Sequence, residues 1–334
     1  MCVCGEMGDD DAPKKRRSLG ATGGHLKHVK TSSRDYSLTF HDVTPLRRVL
    51  ECFSPFVTHT LFRVTRSTER DDRFLLEARG EDHSHTCIVS ARLLIDELTA
   101  ANDDKASLDG AVFVLDTGDM LSTMRGPAAT SGALVLQCYP EIPKVLVGLY
   151  NTENMAFGSD SILDTFDDPY ASPPPPIVYN EYLLEIDTCC LRDFVNRANG
   201  ARAEFIRITL YLKEIAAQTY CYMELTSKGS YLTRSWFCNE ITRHEDGSAI
   251  VRAAEDANFD KFDFEDGEAP QYDHAFQLKK IEAFVKGVSA RMIVARLKRD
   301  EAMLLSHPLA GSADEEQHLR FLIAYRHVDE SEDD

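Results

Sequence analysis

The chain has 334 residues, enough for two ordinary domains and a sizeable core, and its 43% hydrophobic and 28% charged residues suit a globular protein. It carries 37 basic against 55 acidic residues, a net charge of -18, which repels nucleic acid unless positive charge is gathered in one place. A run of about 18 apolar residues is missing, and the polar, charged start of the chain does not read as a signal peptide, so a membrane span is not expected.

Residues 1–34 read as a disordered basic and polar tail. Within them Lys14, Lys15, Arg16 and Arg17 form a compact cluster that fits either a nuclear import signal or a generic charged tail. "YSLTFHDV" then reads as a strand leading into a short helix, "TPLRRVLECF", with Thr44 as N-cap and Pro45 at the first helical position. Leu46, Val49, Leu50 and Phe53 make one apolar stripe, and Arg47 and Arg48 lie off it. "SARLLIDELTAA", 90–101, has helical spacing at Ala91, Leu94, Ile95 and Leu98, whereas an internal repeat requires a strand there, so both assignments stay open. "AVFVLDTGDMLSTMRG" and "ALVLQCYPEIPKVLVGLY" read as strand, short helix, strand, turn, strand. "DTFDDPYASPPPPIVYNEY", 164–182, is a linker, because Pro173 to Pro176 donate no ladder hydrogen bonds and favour an extended geometry.

The second half repeats this order. "EYLLEIDT" leads to "CCLRDFVNRANG", with Leu191, Phe194, Val195 and Ala198 on one stripe, Arg192 and Asn196 opposite, and Gly200 as the stop. "HAFQLKKIEAFVKG" precedes "ARMIVARLKRDEAMLLSHPL". Leu278, Ile281, Val285 and Val288 form its stripe, and Lys279 and Lys286 project opposite it. The expected organisation is an N-terminal domain over 35–163, a Pro-rich connector over 164–180, a similar C-terminal domain over 181–328 and an acidic tail over 329–334. The class is α+β: antiparallel sheets with short helices.

The nine cysteines include no C-x-x-C pair, which favours reduced thiols inside a cell. No Walker loop, G-x-S-x-G or H-E-x-x-H is present, so neither an enzyme nor a cofactor is expected. The acidic stretch "DANFDKFDFEDGE", 256–268, fails the calcium-loop template at Lys261 and Gly267 and reads as a solvated loop, and no metal is expected.

Amphipathic helices with a basic outer face fit a phosphate backbone. The candidate DNA-binding residues are Arg47, Arg48, Arg125, Arg192, Arg197, Lys279, Lys280 and Lys286. None sits in a base-reading motif, so the contact would be independent of sequence. Over roughly 36–328 the chain resembles the DNA sliding clamps, proliferating cell nuclear antigen and its viral relatives. "PLRRVLECF" looks like the first inner helix and "HAFQLKKIEAFVKGVS" like the last. "FLLEARGEDHSHTCIV" and "EYLLEIDTCCLRDFV" resemble family strands, and "EEQHLRFLIAYRHVDESEDD" resembles the closing strand and acidic tail.

The resemblance implies a ring, usually a trimer of two-domain subunits, with sheets outside and basic helices around double-stranded DNA. It implies a processivity factor for a DNA polymerase in replication and repair, placed on DNA by a clamp loader, in the nucleus or at a viral replication site. It also implies a groove for client proteins at His85, Thr86, Ile88, Ile177, Ala302, Leu322, Ala324 and Tyr325. Subunit contacts would fall near 154–162 and 229–237, with Met155, Phe157, Tyr231 and Trp236. A long proline-rich connector, the extra N-terminal tail and a second inner helix with only Arg125 depart from the family pattern. The competing readings are a subunit of a heterotrimeric checkpoint clamp, a monomeric DNA-binding processivity factor, and an enzyme of unrecognised α+β fold.

Overall fold

A computed structural model describes residues 35–70, 72–102, 104–125, 132–151, 158–167, 181–215, 218–243, 249–253, 269–309 and 316–326. The first series of elements opens with β1 (Tyr36–Phe40), α1 (Thr44–Phe53), β2 (His59–Arg66), β3 (Phe74–Glu81) and β4 (Cys87–Leu94). It continues with β5 (Glu97–Ala100), β6 (Val112–Asp116), α2 (Thr117–Thr123), β7 (Gly132–Tyr139), β8 (Lys144–Asn151) and β9 (Gly158–Asp164). The second series opens with β10 (Tyr182–Asp187), α3 (Thr188–Gly200), β11 (Phe205–Ile215), β12 (Gln218–Lys228) and β13 (Leu232–Arg243). It continues with β14 (Ala249–Ala253), β15 (Tyr272–Gln277), α4 (Leu278–Gly287), β16 (Met292–Leu297), β17 (Met303–Pro308) and β18 (His318–Ile323). Strand, helix, five strands, helix, three strands is the order in both.

Sheet connectivity repeats as well. A five-stranded sheet runs β5-β1-β7-β8-β9, and its counterpart β14-β10-β16-β17-β18 lies within a thirteen-stranded sheet. The run β6-β2-β3-β4 is matched by β15-β11-β12-β13. One pairing departs: β5 is antiparallel to β1, but β14 is parallel to β10. The match extends to single hydrogen bonds. After β9 the Phe166 amide donates to Val114 O (3.1 Å) and the Phe166 ring packs on His59 (4.6 Å). After β18 the Arg326 amide donates to Ala275 O (2.8 Å) and its guanidinium lies over Phe205 (4.9 Å). Val114 and Ala275 each stand three residues before the following helix, so these two straps occupy equivalent places.

The two series meet where β18 pairs antiparallel with β4, Leu322 opposite Ile88 and Phe321 opposite Val89. Residues 90–100 are therefore two strands, the end of β4 and β5, with a bend at Asp96 between them, and not a helix. Cys87, Val89, Ala91 and Leu93 face the core while Ile88, Ser90, Arg92 and Leu94 face the other way, the two-residue period of a strand. Phe321 sits at the centre of the core, with the Phe53, Phe56 and Phe284 rings 6.4, 5.8 and 5.2 Å away.

The helices cover one face of the sheets. α2 packs on α1, α1 on α4, and α4 on α3, giving the order α2-α1-α4-α3. α1 begins at Thr44 with Val43 at the capping position, so the expected Thr44 cap is corrected; the Thr44 amide instead donates to Asp42 Oδ1 (2.8 Å). Asp116 and Asp187 cap α2 and α3 with their carboxylates. α3 ends at Gly200, as the sequence predicts. Cys52, Cys87, Cys138, Cys189, Cys190 and Cys221 are free thiols.

Candidate nucleic-acid interface and partner groove

Each helix turns its apolar stripe to the sheet because the stripe recurs at helical spacing, and its basic residues are left on the solvent side. Arg48, Arg125, Arg192, Arg197, Lys279 and Lys286 are exposed, and Arg47 is half-buried. Two are balanced on their own helix: Arg47 lies 3.7 Å from Glu51, and Lys286 lies 2.6 Å from Glu282. Arg192 donates to Val288 O (3.2 Å), capping the end of α4, and Arg197 donates to Ser235 Oγ (2.5 Å). Among the described residues Arg48 and Lys279 carry no ion pair, so they are the cations of α1 and α4 with charge still to satisfy.

Lys280 does not belong to this surface. It is 4% exposed, and its ammonium lies 2.9 Å from Asp82 Oδ2 and bonds to Thr86 Oγ1. The helical stripe explains the error: position 280 sits beside Leu278 and Ile281 at the sheet-facing edge, where only a carboxylate from another element makes a cation tolerable. Asp82 supplies it at the β3–β4 turn. Its carboxylate also accepts the Thr86 and Cys87 amides (2.8 and 2.7 Å) and the Ser84 hydroxyl (2.5 Å). Burial opposes the Asp82 charge, but the bonds from Ser84, Lys280 and the Cys87 amide outweigh it and hold the carboxyl at about 2, below its usual 3.8.

That pin fixes the turn carrying the first part of the expected partner groove. His85 is in the left-handed region (φ 54°), with its ring exposed and Nδ1 2.7 Å from Glu81 Oε1. Thr86 O accepts the Ala324 amide (2.8 Å), and Ile88 is the register partner of Leu322, which also faces Leu304. Ile88, Leu322, Ala324 and Ala302 are half-buried, and Ala302 precedes Met303, the partner of Ile323. His85, Thr86, Ile88, Leu322, Ala324 and Ala302 therefore gather at the β4–β18 seam. Tyr325 is spent on a stack with His274 (4.4 Å between ring centres). Ile177 lies outside the described residues.

Of the expected contact residues, Met155, Phe157 and the Trp236 side chain lie outside the described residues, and Tyr231 is 54% exposed. Two residues that the sequence reading did not single out join Tyr231: Ile162 on β9, 47% exposed, and Leu232 on β13, 58% exposed. Their signal lies in the repeat. Leu322 precedes Arg326 by the same interval that Ile162 precedes Phe166, and Ile88 and Leu232 are the first cross-hairpin partners of Glu81 and Lys228. The exposed pair Ile162 and Leu232 thus occupies the places of the joined pair Leu322 and Ile88.

Among the described residues no cluster of His, Cys, Asp and Glu could hold a metal, and no helix is long and apolar enough to cross a membrane. No protein-family model matches the chain, and no curated protein sequence matches it. A crystal structure of proliferating cell nuclear antigen from Entamoeba histolytica superposes with a TM-score of 0.61 at 14% identity, covering 87% of this chain and 99% of that one. The fold is that of the nuclear antigen. At this identity the likeness carries architecture alone.

Proposed function

We propose that the protein is a DNA sliding clamp: a non-enzymatic processivity factor that encircles duplex DNA without sequence specificity and docks polymerase and other replication and repair proteins. On this reading 35–163 and 181–328 are two clamp domains joined by the connector 164–180, three copies form the ring, a loader opens it, and it works in the nucleus or at a viral replication site. The observation that carries the reading is the unsatisfied repeat of the β4–β18 seam. The part of β13 before Asn239, which β14 leaves unpaired, and β9 present the same two strand edges, with Leu232 and Ile162 bare, and antiparallel addition of β9 from one copy to that part of β13 of the next would cover both. The same register sets Asp160 against Arg234, opposite charges on facing strands. A ring built this way directs the helix layer inward, with Arg48, Arg125, Lys279 and Lys286 towards phosphate. The half-buried apolar seam at Ile88, Leu322 and Ala302 supports client docking.

The test is retention on circular duplex DNA with loader, followed by linearisation. Topological binding gives release on cutting the circle, and Arg48→Glu with Lys279→Glu weakens polymerase processivity while the assembled mass is unchanged. Retention that survives cutting would indicate a direct DNA-binding monomer, and an assembly that forms only with different chains would indicate a heteromeric clamp subunit.

A further inference from the structure

On the face of the central sheet turned away from the helices, a strongly basic field adjoins the apolar seam. Cross-strand register places Arg79 opposite Ser90, Ser90 opposite Arg320, and Arg320 opposite Ser306, in one row across β3, β4, β18 and β17. Arg92 stands one step along β4 from that row, and Arg296 on β16 faces Leu304 of the seam. Three carboxylates share the face: Glu77, 3.8 Å from Arg92, Glu81, opposite Ile88 of the seam and held by His85, and Glu185 on β10. With Arg63 opposite Glu77, guanidinium groups outnumber carboxylates on this face, opposite to the chain's net charge of -18. Arg79 is 8% exposed and Arg92 is held by Glu77, but among the described residues Arg320 is exposed and makes no ion pair, and the buried Nε of Arg296 has no hydrogen-bond partner. Partial burial and the neighbouring Arg92 and Arg296 push Arg320 below the usual arginine range, outweighing the opposing effect of Glu77.

The seam row Ile88–Leu322–Leu304 and the arginine row are neighbours along the strands, so they lie about 7 Å apart, and Arg92 lies about 14 Å from the seam. An extended peptide anchored by an apolar side chain on the seam reaches those distances about two and four residues from its anchor. We propose that this face selects client peptides in which acidic residues flank the apolar docking motif, the carboxylates seating on Arg320 and Arg92. Arginine forks with hydroxyls between them match carboxylates on successive outward positions of an extended strand. A nucleic-acid occupant is disfavoured because the field is continuous with an apolar groove and, among the described residues, holds no exposed aromatic platform for bases. The inference rests on the client-docking part of the clamp reading and adds the chemistry of the client.

The experiment uses the full-length protein and two labelled synthetic peptides sharing one leucine-and-aromatic docking motif. One carries Asp and Glu in the flank and the other carries Asn and Gln; binding is read by fluorescence anisotropy at low and high ionic strength. The acidic peptide should bind about tenfold tighter at low salt, with the advantage lost at high salt and in Arg320→Ser. Thermal denaturation of Arg320→Ser checks its fold, and the neutral peptide should bind that variant as it binds the native protein. Equal binding of the two peptides to the native protein would overturn the inference and leave client docking standing. Binding of neither would overturn both. A single-stranded oligonucleotide that binds in an Arg320-dependent way, without an acidic-peptide advantage, would reassign the face to nucleic acid.

Discussion

Removing Lys280 would strand the Asp82 carboxylate where water cannot reach it. Loss of one partner of a buried pair costs about 3–5 kcal/mol, whereas neutralising both keeps the packing and removes the buried charge. Lys280→Met should therefore destabilise strongly in urea unfolding, and Lys280→Met with Asp82→Asn should recover most of the loss, since Asn retains an acceptor for the Thr86 and Cys87 amides. Additive losses would refute the coupling. His307 gives a second prediction. Its ring is 1% exposed, neither nitrogen finds a partner among the described residues, and burial lowers its pKa from 6.5 to about 4. The unfolded chain then binds the extra proton between these values, so this contribution to stability is complete above pH 6.5 and is lost as pH falls towards 4, on the order of 3 kcal/mol in all. Melting curves across that window should show His307→Leu flatter than the native protein; identical slopes would refute it. Neither behaviour was legible in the sequence. Lys280 reads as one more basic residue on a basic helix until Asp82, far away in the chain, is placed beside it.

Among the elements, α1 and α4 approach so closely that a Cβ on Gly287 would collide with the Cys52 sulfur. Overpacking of that kind costs about 1–3 kcal/mol. Gly287→Ala should lower the melting temperature, and adding Cys52→Ala should restore part of it, because removal of the sulfur opens the space. No recovery would mean that the backbone of Gly287 matters for another reason. The sequence identified this helix pair, their stripes and the repeat, since four short amphipathic segments announce themselves by period. It was ambiguous over 90–101, where Ala91, Leu94, Ile95 and Leu98 mimic a helix. Pairing of β4 with both β3 and β18 overrides that local spacing, and such non-local partners leave no trace in a window of the sequence.

For the molecule as a whole, the bare pair Ile162 and Leu232 sets the assembly prediction. Light scattering should give a mass near three times 37.5 kDa, and Ile162→Asp or Leu232→Asp should reduce it to one chain by weakening association about tenfold or more. A reversed pair, Asp160→Arg with Arg234→Asp, should assemble better than either single change. A native monomer at micromolar concentration would refute the ring. The repeated element order was readable from the sequence; which strand edges remain open was not, because it depends on a register that only the folded sheets reveal.

The seam between β4 and β18 also dictates how the chain must be made. β4 is synthesised long before its partner β18, with thirteen strands of the described fold made between them. Until then β4 is an open edge at the middle of the future sheet, and its contacts with β18 are among the longest-range in the protein. That nascent edge has the shape of the open part of β13, which in the proposed ring receives β9 of a neighbour. A completed subunit can mistake a half-made chain for its proper partner, so crowded translation favours dead-end pairing, and a holdase covering β4 would raise the yield of folded protein.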